Sequence, residues 1–233
     1  MTALIADFTP ADAAALVFLL AGWLGFGWLV EHPPAGRPSV AVLMAGMRRD
    51  WMHAFVTRQP RIFDATVLDS LRQSTAFFAS ATMIALGGGV ALMGDAERLA
   101  GFAADFTLQT SRTVLEIKLL VVLLLVANAF LKFVWANRLF GYCAILMASV
   151  PNDPEDPACY PRAAQAAEIN ITAARSFNRG LNSVYFAIAA LAWLAGALAL
   201  SLAVVLTLAM MARREFASAS RRVILQAHSG PGA

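Results

Sequence analysis

Residues 184–212 read VYFAIAALAWLAGALALSLAVVLTLAMMA, 29 positions without a charged side chain. As one helix, at about 1.5 Å per residue, the stretch would run roughly 43 Å. The hydrocarbon core of a bilayer is only about 30 Å thick. Two geometries accommodate the excess. One is a single helix that tilts strongly or protrudes. The other is a hairpin near Gly196, with arms of about Ser176 to Ala195 and Ala197 to Met211. The first makes four crossings of the whole chain, the second five, and both stay open at this point.

Working outward, three more stretches are apolar for long enough to cross: Ala13 to Val30, Ser74 to Met93, and Val114 to Val134. The third is less pure, with Glu116 and Lys118 near its start and Asn128 and Lys132 near its end. The 233 residues are 59% hydrophobic and 14% charged, with a mean hydropathy of +0.65. Soluble domains carry about 25% charge. The composition therefore excludes a disordered chain, a disulfide-knit secreted domain and an ordinary soluble enzyme. It predicts an all-α, polytopic helical membrane protein forming a single membrane domain over 1–233. The first twelve residues carry Asp7 and Asp12 but no Lys or Arg, so no basic leader region is read there.

Charge sets the orientation. Arg37, Arg48, Arg49, Arg58, Arg61 and Arg72 follow the first span; Arg138, Arg162, Arg175 and Arg179 follow the third. The segment between spans two and three has only Arg98 and Arg112. An outside N-terminus keeps both arginine-rich segments in the cytoplasm. The tail, 213–233, brings Arg213, Arg214, Arg221 and Arg222, and only the hairpin would return these to the same side. The net charge of +3 is too small to suggest nucleic acid as a partner.

The cytoplasmic segment 39–72 opens with helical periodicity over Ser39 to Thr57: Val40, Leu43, Met44, Met47, Trp51, Ala54 and Phe55. It reads as an amphipathic helix on the inner leaflet, its arginines near anionic lipid head groups. Arg61 to Gln73 leads as helix into the second span, with Asp64 three after Arg61 and Asp69 three before Arg72. Segment 151–180 combines a Pro-rich loop with an Ala-rich helix from Arg162 to Arg179, and Gly180 marks a break or a close approach. Arg175 and Arg179 are four apart, so both can face one acidic group, with Asp64 or Asp69 as candidates.

Helices in lipid associate through close packing of small residues. Ala81, Ala85 and Gly89, spaced by four, are the leading packing candidates; Gly87-Gly88-Gly89 reads as a helix end or close crossing and not as a phosphate loop. Polar groups inside spans are candidates for function. Arg112 and Glu116 can pair at the outer boundary, and Asn128 is the deepest strongly polar residue of span three. Together they form a candidate polar path. His32, His53 and His228 lie apart and make no metal motif; Cys143 and Cys159 read as reduced and structural. No catalytic residue, metal or cofactor is expected.

Short motifs then suggest a family. They are Arg48-Arg49-Asp50-Trp51-Met52, Arg58 through Arg61-Ile62-Phe63-Asp64, Phe77-Phe78-Ala79-Ser80, Gly87-Gly88, and Phe133 with Trp135. Arg138-Leu139-Phe140-Gly141-Tyr142, Phe177-Asn178-Arg179-Gly180-Leu181 and Arg213-Arg214-Glu215-Phe216 follow in order. With these the chain resembles the bacterial membrane family called domain of unknown function five-nine-nine. The resemblance implies a bacterial inner-membrane protein without an assigned activity, and it brings no catalytic residues. Relatives with Asn or Pro at the place of Ala195-Gly196-Ala197 would imply a turn there; this chain departs from that pattern. The first functional expectation is a non-catalytic protein that docks with or assists assembly of a membrane complex, with a membrane-protein partner or a second copy of itself. The alternatives are a small transporter or channel, and a membrane enzyme acting on a lipid.

Overall fold

In the computed structural model, which describes residues 8–95, 101 and 112–227, Gly196 takes φ 111° and ends one helix where another begins. The helices are α1 (Pro10–Glu31), α2 (Val40–Thr57), α3 (Ile62–Gly94), α4 (Arg112–Ala148), α5 (Cys159–Leu191), α6 (Ala197–Phe216) and α7 (Ala219–Ala227). A 3-10 turn, Ala192–Ala195, joins α5 to Gly196. Among the described residues no strand forms. Pro10–Glu31, Ile62–Gly94, Thr113–Ala148 and Ala197–Gln226 are long and apolar enough to cross a membrane. The chain is a polytopic helical membrane protein.

The long apolar stretch is thus two helices and not one. A Cβ on Gly22 of α1 would stand 3.2 Å from Phe186 of α5 and 3.5 Å from Val204 of α6, so the two arms lie side by side against α1. The hairpin brings its second arm back to the end of α1. Ala41 N–H donates to Glu215 Oε2 at 3.3 Å, and Arg221 Nε donates to the Pro38 carbonyl at 3.0 Å. The end of α6 and the start of α7 therefore meet the α1–α2 connection. The ends of α1 and α6 define two levels: a turn end around Gly196, and an arginine end around residues 31–41 and 214–221.

Local chemistry explains the starts. Thr9 caps α1 in a reciprocal box: Asp12 N–H donates to Thr9 Oγ1 at 3.1 Å, and Thr9 N–H to Asp12 Oδ2 at 3.3 Å, with Pro10 in the first turn. Ser39 caps α2 by accepting from Val42 N–H at 3.2 Å, and its hydroxyl donates to the Val30 carbonyl at 2.7 Å, tying α2 to the end of α1. As expected from the sequence, α3 runs unbroken from the charged segment into the span.

The bundle is built on α4 and α5, 37 and 33 residues long, packed together antiparallel. Gly180 permits their close approach, since a Cβ there would lie 2.6 Å from the Phe133 ring. It does not break α5. Beyond the arginine end the two helices continue into a head with α2 and the start of α3. Its core holds Met52, Phe55, Val56, Leu139, Phe140 and Cys143. A second core, with Leu19, Leu125, Phe186, Trp193 and Val204, lies between α1, α4, α5 and α6. Ile84, Leu198 and Leu206 are at least 70% exposed, as side chains facing lipid would be.

Candidate functional site

Charged side chains converge at the arginine end around a cavity of ≈ 670 Å³. Its walls come from the end of α1, the start of α2, the middle of α5 and the end of α6, with parts of α3, α4 and the start of α7 closing it. Phe26, Val30, Met44, Phe177 and Met211 supply apolar surface, and Arg48, Arg49, Arg175, Arg179 and Arg214 supply cations, with Glu31 and Glu215 among them.

Arg175 and Arg179 share one face of α5, as their spacing predicts, and both face a single carboxylate. It is Glu31, the last residue of α1, and not Asp64 or Asp69. Arg179 grips it with two bonds, Nε–Oε1 and Nη2–Oε2, both 2.6 Å. Arg175 Nε stands 3.9 Å from Oε2. Glu215 accepts from the first turn of α2 and has Arg214 Nη2 3.6 Å away. Arg214 also donates to the Tyr185 hydroxyl at 2.9 Å and lies over that ring.

Arg48 differs. It is half-buried, and among the described residues no carboxylate forms an ion pair with it. Its Nη1 donates to Oδ1 of the fully buried Asn170, whose Nδ2 lies 3.5 Å from Cys143 Sγ. Burial holds the Arg48 guanidinium below its ordinary value, because desolvation disfavours the charged form. Its neighbour Arg49 instead pairs with Glu168 at 2.6 Å on the exposed side.

The other sequence candidates lie elsewhere. Arg61 pins the loop after α4, donating to the Val150 and Pro151 carbonyls at 2.9 and 2.8 Å. Asp64 is fully buried and accepts from Trp51 Nε1 at 2.6 Å and from Arg58. Asp69 accepts from Gln73 on the surface. Asn128 accepts from the Ser183 hydroxyl at 3.1 Å, and Ser183 in turn accepts from Trp23 Nε1. Glu116 is half-buried near the turn end; the Arg112 side chain of the expected pair lies outside the described residues, as does His228. The small-residue triple divides: Gly89 faces Leu123 of α4, whereas Ala81 and Ala85 are exposed.

Sequence reasoning passed over Glu31, Arg48, Arg214 and Glu215. A visible signal existed for Glu31, an acid closing an apolar run at a helix end. None marked Arg48 as different from Arg49.

Residues 14–220 match the family model described as protein of unknown function, DUF599. No curated protein and no solved structure matches. Because the match spans most of its length, the chain belongs to the family of proteins of unknown function DUF599.

Proposed function

We propose that the protein is a non-catalytic inner-membrane protein that seats the head group of an anionic lipid in the arginine cavity, on the cytoplasmic side. The observation that carries this reading is Arg48, a half-buried cation lining a large cavity with no carboxylate among the described residues paired to it. A desolvated charge costs free energy unless an opposite charge meets it. A phosphate brings that charge together with several acceptor oxygens suited to guanidinium. The apolar walls beside the arginines suit acyl chains. Arginines of α2, α5 and α6 at one end favour that end as cytoplasmic and the N-terminus as outside.

Native mass spectrometry of the detergent-solubilised chain tests it. Dioleoyl phosphatidylglycerol should be retained over dioleoyl phosphatidylcholine, and Arg48→Gln should weaken retention about ten-fold, as losing a charge-assisted hydrogen bond does. Equal retention of the two lipids by the wild type would refute the reading.

A docking role in a membrane assembly is the second reading, favoured by α3, which leaves Ala81 and Ala85 exposed beside the exposed Ile84. Cross-linking in native membranes from cysteines at 81 and 85 should capture a neighbouring protein; monomer alone argues against it. A transporter is less favoured. Leu19, Phe186 and Ala190, all fully buried, sit between the polar residues of the turn end and those of the cavity.

A further inference from the structure

Resting on the reading of the cavity as an anionic-lipid site, we propose that Glu31 is its built-in competitor. The carboxylate holds Arg175 and Arg179 while the seat is empty, and the lipid phosphate takes its place when bound.

Three features carry this. First, the geometry around Glu31 is that of a bound anion: two parallel bonds from one guanidinium, with a second guanidinium 3.9 Å away. A phosphate oxygen pair can make the same contacts. Second, the clasp is weak enough to exchange. The two arginine side chains are 50% and 51% exposed, and ion pairs with one wet partner are worth little. Glu31 is also the final residue of α1, whose last turn holds no basic residue. A carboxylate there sits in the unfavourable field of the helix dipole. Third, the displaced carboxylate has space, since Glu31 itself lines the ≈ 670 Å³ cavity.

Competition gives a signature opposite to that of a positioning residue. Were Glu31 there to orient the arginines for the ligand, removing its charge would weaken binding. As a competitor, its neutralisation strengthens binding. It also couples the site to the α1–α2 connection, because Glu31 adjoins Val30, whose carbonyl holds the Ser39 cap.

The test compares wild type, Glu31→Gln, Glu31→Asp and Arg48→Gln by native mass spectrometry with dioleoyl phosphatidylglycerol and, as the zwitterionic reference, dioleoyl phosphatidylcholine. Water-soluble glycerol 1-phosphate forms a parallel arm. Glu31→Gln should bind the lipid about three- to five-fold more tightly, the upper scale of one exposed ion pair. Glu31→Asp, still an anion, should stay within two-fold of wild type. Glycerol 1-phosphate should bind far more weakly than the lipid; equal affinity would assign the seat to a free phosphate ester and overturn the lipid as ligand. If Glu31→Gln weakens or leaves binding unchanged while Arg48→Gln still weakens it, the competitor is refuted and the site stands. If the wild type shows no preference for anionic lipid, both fall. Hydrogen exchange on the wild type gives a check that needs no variant. Lipid should speed exchange in residues 28–39, and slowed or unchanged exchange there contradicts displacement.

Discussion

Lys118 Nζ donates to the main-chain oxygen of Trp193 at 3.1 Å, inside the protein at the turn end. The Trp193 indole donates to Asp12 Oδ1 at 2.7 Å, and Lys118 lies 3.7 Å from the same oxygen. The triangle joins α1, α4 and the turn after α5 through three residues that are each at most 7% exposed. An intramembrane charge is tolerated where it is paired and hydrogen-bonded. Here the pairing also fixes the hairpin to the bundle.

Removing one member of this triangle strands the other. Lys118→Met should destabilise the protein by about 3–5 kcal/mol, the usual cost of an uncompensated buried charge. The double variant Asp12→Asn with Lys118→Met should recover most of that loss. Thermal unfolding in detergent reads both, and a double variant no better than the single one would show the pair does not act as a unit.

Gly196→Ala tests the turn by itself. A Cβ there would meet nothing within 4 Å, so space is not the obstacle. The backbone is: φ 111° with ψ 170° is a conformation that costs a non-glycine residue about 1–3 kcal/mol. The melting temperature should fall, and an unchanged value would mean the chain does not turn at this residue.

Two glycines of the packing faces should respond differently to alanine. At Gly180 the new methyl meets Phe133, a fully buried ring packed against Phe78 and Phe177, which cannot yield. Overpacking of this kind costs about 1–3 kcal/mol. At Gly89 it meets the tip of Leu123, which can change rotamer, and the gain in helix propensity of about 1 kcal/mol offsets the strain. Gly180→Ala should lower the melting temperature clearly and Gly89→Ala hardly at all.

The contrast between Glu31 and Gly196 says what the sequence carried. The span positions, the helix at Ser39, the continuous α3 and the spacing of Arg175 and Arg179 were legible, because period and charge are local properties. The turn at Gly196 was legible only as one of two options. Excess length allows it, but one glycine in a helix-favouring run does not compel it. The partner of Arg175 and Arg179 was not legible. Glu31 lies 148 positions from Arg179, and only the packing of α1 on α5 brings them together. Asp12 and Lys118 were visible as charges at the starts of spans, yet the indole that joins them sits on a third element. Arg48 and Arg49 are neighbours in sequence and both line the cavity, yet only Arg48 reaches the buried Asn170, while Arg49 is paired on its exposed side with Glu168.

The account stands on one arrangement, in which α2, the tail after α6 and the arginine cavity share one side of the membrane and the Gly196 turn lies on the other. Single cysteines at Asp50, Ser220 and Ala195, introduced with Cys143 and Cys159 replaced by alanine, test it in intact cells with a membrane-impermeant maleimide. Asp50→Cys and Ser220→Cys should stay unlabelled until the cells are opened, and Ala195→Cys should label from outside. Labelling of Ser220→Cys from the side opposite to Asp50→Cys would contradict the hairpin and the cavity built on it.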